Sequence, residues 1–157
     1  MVAYGGPFSY VFENAQETLT GLLRIGSVVV ASVMSTLGSW RFFLNDIITT
    51  ASEIGQDRND AVINTGDIRH LGTDQPHVCK MYRWSELMAL VHESGGEVLS
   101  ASASNFASAT DEETLERIAA VPDDWRRFIE HEVRACREPG ALDGGTHLLF
   151  AARQRRD

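Results

Sequence analysis

The segment Ser27-Val28-Val29-Val30-Ala31-Ser32-Val33-Met34-Ser35 constrains this chain most. It is short, rich in β-branched residues, and apolar at odd and even positions alike. A strand with one wet face alternates apolar and polar residues. A run apolar on both faces indicates a strand covered on both sides, and so a parallel sheet flanked by helices. Its neighbours agree. Ala15, Leu19, Leu22 and Leu23 fall at helical spacing between Glu13 and Arg24, and Gly26 stops that helix. Val2 to Tyr4 reads as the end of an earlier strand, closed by Gly5-Gly6-Pro7.

Beyond the strand, Gly38 and Ser39 open a helix, with Ser39 as its cap. Trp40, Phe43, Leu44, Ile47, Ile48, Ala51 and Ile54 form its apolar stripe, with Trp40, Phe43 and Ile47 read as core or lid packing, and Gly55 ends it. Gln56 to Asp60 reads as a polar loop, and Ala61 to Pro76 as a mixed segment with turns at Thr65-Gly66-Asp67 and Leu71-Gly72-Thr73-Asp74. His77 to Trp84 alternates as a short strand does. Ser85 caps a helix carrying Leu87, Leu90 and Val91, which Gly95-Gly96 terminates, and Glu97 to Ala103 reads as a strand. Thr110 and Glu113 form a capping box. Pro122 suits a first helical turn, followed by Trp125, Phe128, Ile129, Val133 and Cys136 on one face. Thr146 to Ala152 reads as the final strand. The alternation of strands and helices predicts one α/β domain over residues 1–157. In an open sheet of this kind ligands bind beyond the carboxyl ends of the strands, here Tyr4 to Pro7, Met34 to Gly38 and Ser102 to Phe106.

Composition narrows the function. The net charge of −8 opposes a general basic field for nucleic acid, and the Arg153, Arg155, Arg156 cluster reads as a solvated end. The longest apolar stretch, Val28 to Val33, is too short to cross a membrane. Cys79 and Cys136 make neither a disulfide framework nor a zinc ribbon, so a reducing, cytoplasmic setting is expected. His77-x-Cys79 alone is too little for a metal. The chain carries no Gly-x-Ser-x-Gly elbow and no Walker loop.

Four strings, in order and over nearly the whole chain, resemble class I S-adenosylmethionine-dependent methyltransferases. YGGPFSYVFENA resembles the segment after the family's fourth strand, which in one subgroup reads like GGPLSYV. SVVVASVMSTLG resembles the fifth strand and its exit, often SVMSLLG. HVCKMYRWSELMALVHESGGEV resembles the aromatic-Arg turn and the helix before the sixth strand, and GTHLLFAARQ the last, antiparallel strand. The resemblance implies a partial Rossmann-like methyltransferase sheet flanked by helices, its last strand antiparallel. It also implies methyl transfer from S-adenosylmethionine to a small-molecule acceptor by in-line displacement. By resemblance Tyr4, Gly5, Gly6 and Pro7 lie at the cofactor's edge, where small residues admit close backbone approach. Ser9, Tyr10, Met34, Ser35, Tyr82 and Asn105 are the candidates to face substrate. The variable segments Gln56–Pro76 and Asp111–Arg137 are expected to shape the acceptor pocket.

The chain departs from the family in one large respect. It has no Gly-x-Gly-x-Gly, so the glycine-rich cofactor loop is absent, as is the acidic residue that holds the ribose hydroxyls. A smaller departure is Ile25-Gly26, where the family usually carries Pro-Gly-Gly. The resemblance therefore covers the C-terminal half of a methyltransferase domain. Without its first three strands such a piece exposes a sheet edge and apolar helix faces. The expected partners are a second copy, as a homodimer, or the missing N-terminal half. An alternative is a non-catalytic remnant serving as an oligomerisation or partner-binding module.

Overall fold

The computed structural model describes residues 1–3, 5–72 and 77–155. Tyr4 lies outside them, as does the Thr73-Asp74 part of the second expected turn. The fold is α/β. Among the described residues four strands form one sheet in the order β1-β2-β4-β3: β1 Val2–Ala3, β2 Val29–Met34, β3 Gly96–Ala103 and β4 His147–Gln154. β1 and β2 are parallel, with Val2 opposite Val30. β4 is antiparallel to both β2 and β3, with Met34 opposite His147 and Ala103 opposite Leu148. β1, β2 and β3 therefore run one way, and the last strand is threaded between β2 and β3 against them.

The expectation that β2 sits in a parallel sheet sealed on both faces is corrected. Only its β1 edge is parallel. Val29, Ala31 and Val33 are fully buried on one face, whereas Val30 and Met34 on the other are only half-buried. β4 continues the sealed face with Leu148, Phe150 and Ala152. Two helices cover it, α1 (Ala15–Ile25) through Leu19 and Leu23 and α5 (Trp84–Glu93) through Leu87 and Val91. Truncating a side chain as enclosed as Phe150 to alanine costs about 3–5 kcal/mol.

The segment after β2 departs furthest from the sequence reading. Two helices stand where one was expected, α2 (Thr36–Phe42) and α3 (Leu44–Ile54), with a break at Phe43. The cap is Ser35, whose hydroxyl accepts from the Gly38 amide at 3.2 Å; Ser39 lies inside α2. Gln56 to Thr65, expected as loop and mixed segment, is a helix, α4. Gly55, at φ 97°, turns the chain straight from α3 into α4, a conformation that favours glycine. His77 to Trp84 forms no strand: Lys80 and Tyr82 make isolated bridges to Asp67 and Ser35.

Two further caps differ from expectation. α5 starts at Trp84, with the Glu86 carboxylate accepting from the Arg83 amide at 2.8 Å, in place of a Ser85 cap. Asp111, not Thr110, caps α6 (Glu112–Ala119), accepting from the Thr114 amide at 2.8 Å. A carboxylate can do so more strongly than a hydroxyl, and its charge favours a helix N-terminus. α7 (Pro122–Ala135) begins with its proline, as expected. Most of its expected apolar face is open: Trp125, Ile129 and Val133 are exposed and Phe128 is half-buried, whereas Cys136, just beyond the helix, is buried as expected, as is Glu132. No helix among the described residues is long and apolar enough to cross a membrane.

Candidate functional site

The exits of β1, β2 and β3 lie at the end of the sheet where β4 enters, because the register pairs Met34 with His147 and Ala103 with Leu148. Gly5 and Gly6 turn the chain out of β1 at φ 82° and 72°. A side chain at Gly5 would meet nothing within 4 Å, while one at Gly6 would face the His147 ring at 3.8 Å. The Gly6 amide donates to the Ser32 hydroxyl at 3.0 Å. Pro7 then starts a short 3-10 turn, Pro7–Tyr10, which buries Phe8 and Ser9.

Several candidate residues are engaged within the fold. The Ser9 hydroxyl, fully buried, accepts from the Met34 amide at 2.9 Å, so it ties the β1 exit to the β2 exit. Ser35 caps α2 and donates to the Asp143 carbonyl at 3.3 Å. Tyr82 is buried in the main core. Its amide donates to the Met34 carbonyl, its carbonyl accepts from the Thr36 amide, and burial pushes its phenol up to about 12. The Asn105 side-chain oxygen accepts from the Thr146 amide at 2.8 Å, closing the β3 exit onto the start of β4. Tyr10 is exposed and its hydroxyl lies 3.2 Å from His77 Nε2. Met34 borders a cavity.

That cavity, of about 300 Å³, lies between the β2 exit, α2, α3 and α4. Its walls are mainly apolar, with Met34, Trp40, Phe43, Ile47 and Met81 among them. Trp40 and Phe43 are each 42% exposed; Trp40, Phe43 and Ile47, expected as core or lid packing, line this cavity. Thr36 and Ser39 from α2 also line it; they are 2% and 4% exposed, and their buried hydroxyl oxygens have no hydrogen-bond partner among the described residues. Asp46 and His77, both exposed, contribute the ionisable groups. Of the segments expected to shape an acceptor pocket, Gln56–Pro76 contributes walls to this cavity through residues such as Val62 and Leu71. Residues 111–137 contribute no wall.

The loop after β3 is held by two residues to which the sequence reading assigned no role. Glu132 of α7 accepts from the amides of Phe106, Ala107 and Ser108 at 2.7, 2.9 and 3.0 Å and from the Ser108 hydroxyl at 2.5 Å. Burial pushes this carboxyl up, but those donors outweigh it and hold the group below its ordinary range. From the other side Arg41 of α2 donates to the carbonyls of Phe106 and Gly144 at 3.0 and 2.9 Å. Nothing in the sequence pairs Glu132 with residue 106 or Arg41 with residue 144. For Thr36 the sequence offered only its place after a strand exit, and Ser39 was expected as a helix cap, a place that Ser35 takes.

Among the described residues no group of three His, Cys, Asp or Glu is placed to hold a metal ion. Cys79 is buried with its thiol 3.3 Å from the Met34 sulfur, and His77 faces Tyr10 instead. Arg153 pairs with Glu97 at 2.5 Å and Arg155 lies 2.9 Å from His92, so these two arginines serve the sheet and its flank. No protein-family model and no curated protein matches the chain.

Proposed function

We propose that this chain is the C-terminal part of a Rossmann-like S-adenosylmethionine-dependent methyltransferase, and that its cavity takes a small-molecule methyl acceptor. The observation that carries the reading is the sheet: three strands run one way, the last runs against them, and an apolar cavity adjoins the β2 exit. Ligands of open α/β sheets sit at that end of the strands.

The described residues fit only one edge of the cofactor. Gly5, with open space where a side chain would stand, admits a close backbone approach. The Gly6 amide, Ser9, Ser35 and Asn105 already have partners inside the fold. The sequence has no Gly-x-Gly-x-Gly loop to receive the rest. When bound, S-adenosylmethionine supplies an electrophilic methyl group on sulfur. The residues of this chain act on the acceptor by enclosure: Trp40, Phe43, Ile47 and Met81 wall the cavity and shield it from water. Alignment of that kind is the main contribution a protein makes to an in-line displacement.

Calorimetry with S-adenosylmethionine tests this division of the site. The 157-residue chain is expected to bind weakly or not at all. A version extended through the in-frame coding sequence upstream of Met1, if that encodes an Asp-x-Gly-x-Gly loop, is expected to bind at micromolar concentration. Micromolar binding by the chain alone overturns the division. Stop codons throughout the upstream frame, or an extended protein that binds nothing, overturn the methyltransferase reading.

A second reading, a non-catalytic module that oligomerises or binds a partner, is favoured by Val121, Trp125, Ile129 and Val133. They stand four residues apart and are 37–49% exposed. Light scattering distinguishes it: a stable dimer that Trp125→Lys dissociates supports this reading, and a monomer at high micromolar concentration refutes its oligomerising form.

A further inference from the structure

The helical run after β2 breaks twice, at Phe43 and at Gly55, and leaves α2, α3 and α4 around a cavity at the β2 exit. Nearly all the surface that faces this cavity is apolar. Thr36 and Ser39 do not alter that. Their hydroxyl oxygens are sealed from solvent, and Thr36 Oγ1 lies toward Gly66, which is not one of the walls. No Lys or Arg among the described residues lines the cavity, and its ionisable wall groups, Asp46 and His77, are exposed. A charged or hydrogen-bonding group that left water for these walls would find no partner there, and such a transfer is unfavourable.

What the walls do offer is two aromatic rings, Trp40 and Phe43, and two thioethers, Met34 and Met81. These groups pack well on the faces and edges of flat rings. Trp40 and Phe43 are also 42% exposed, so an apolar occupant takes their surface out of water along with its own. Size completes the description. An apolar protein cavity of about 150 Å³ holds one benzene; a cavity of about 300 Å³ has room for two fused rings. We propose that the cavity binds an uncharged, flat hydrocarbon ring system of that size, held by apolar contact alone, with no hydrogen bond from the protein. In naming this ring system as the body of the methyl acceptor, the inference rests on the function proposed above; the atom that takes the methyl group then stands outside the apolar walls. As a statement about binding it rests on the cavity alone.

The test is calorimetry in which the 157-residue protein is titrated into naphthalene, without S-adenosylmethionine, so its result does not depend on methyl transfer. One saturable site is expected, with Kd on the order of 10–100 μM for a ligand of this size. 1-Naphthol should bind no tighter than naphthalene, because no wall group rewards its hydroxyl. Naphthalene-1-sulfonate and 1-naphthylmethylammonium, with the same rings and a fixed charge of either sign, should each bind at least about tenfold more weakly. Ile47→Trp, on a half-exposed turn of α3, should fill the cavity and abolish binding. Phe43→Ala, at a more exposed wall position, should weaken it about tenfold, and circular dichroism shows that each variant is folded. Trp125→Lys, on the exposed face of α7, should leave binding unchanged, which separates the cavity from that face. The proposal is overturned if naphthalene shows no saturable binding, if 1-naphthol or either charged analogue binds clearly tighter than naphthalene, or if the folded cavity variants bind it as the parent does. If naphthalene binds as expected and the extended protein fails to bind S-adenosylmethionine, the site stands and the methyltransferase reading falls. If the extended protein binds S-adenosylmethionine and naphthalene does not bind, this inference falls alone.

Discussion

Glu132→Ala removes one carboxylate and with it four accepted hydrogen bonds, three of them from successive backbone amides. A hydrogen bond to a charged group contributes about 1.5–3 kcal/mol net, but four on one carboxylate share their energy. Ala107 is exposed and its amide can turn to water, whereas Phe106 and Ser108 are half-buried. Two poorly replaced bonds put the cost near 3 kcal/mol, within the range for breaking a buried network. With an unfolding entropy of about 2.1 cal/mol/K per residue, that lowers Tm by about 9 °C for a chain of this length. Glu132→Gln, which keeps one acceptor oxygen, should lose about half as much. Thermal and urea denaturation followed by circular dichroism measure both. The carboxyl titrates below its ordinary range in the folded state. Its contribution is therefore full above about pH 4.5, the unfolded value, and disappears as pH falls through the folded value. Parent and Glu132→Ala should converge in acid. A Tm within 2 °C of the parent at pH 7 would refute the reasoning, because it would mean that water replaces the carboxylate at all three amides.

Other expectations follow from the same geometry. A methyl at Gly38 would stand 1.7 Å from the Gly145 carbonyl oxygen, so Gly38→Ala must push α2 off the start of β4; a loss of about 3 kcal/mol is expected by urea denaturation, and an unchanged midpoint would contradict the packing. Burial lowers the His147 pKa below its ordinary 6.5. The unfolded chain then takes the proton first, so this residue's effect is absent above pH 6.5 and destabilises the fold as pH drops below it. His147→Gln should flatten the Tm profile between pH 7 and about 5.5, and an identical slope would remove His147 as the cause. Cys79 and Cys136 are buried, with desolvation pushing each thiol up to about 11. A thiol-exchange reagent at pH 8 should label neither in the folded protein and both in guanidinium. Rapid labelling of the folded protein would contradict their enclosure.

Much of the fold was legible because it depends on near neighbours. The β-branched run marked β2, the Leu19–Leu23 face marked α1, and Gly95-Gly96 closed α5, each through period, propensity or turn chemistry that a short window carries. The errors cluster after β2. There Ser39 was expected as the cap, and Ser35 takes that place because the strand ends at Met34, one residue before it. Gln56 to Thr65 is polar, so it lacked a periodic signal; it is helical because Gly55 turns it back and Val62 packs on Cys79 and Met81. The apolar face of α7 carried a correct helical period and misled about burial, because period states that a face exists and says nothing of what covers it.

The candidate site divides the same way. Sequence alone determined that strand exits at Gly5–Pro7, Met34–Ser35 and near Asn105 gather the residues worth testing, since strand ends and glycine turns are local. It also determined that no Gly-x-Gly-x-Gly loop is present. Only the tertiary structure decided which side chains at those exits are free. Ser9, Ser35 and Asn105 spend their hydrogen bonds on residues 25, 108 and 41 positions away, while the Thr36 and Ser39 hydroxyls are buried without a partner among the described residues. A hydroxyl is satisfied or orphaned by whatever the rest of the chain brings to it, and those partners lie far outside the few residues over which sequence dictates conformation.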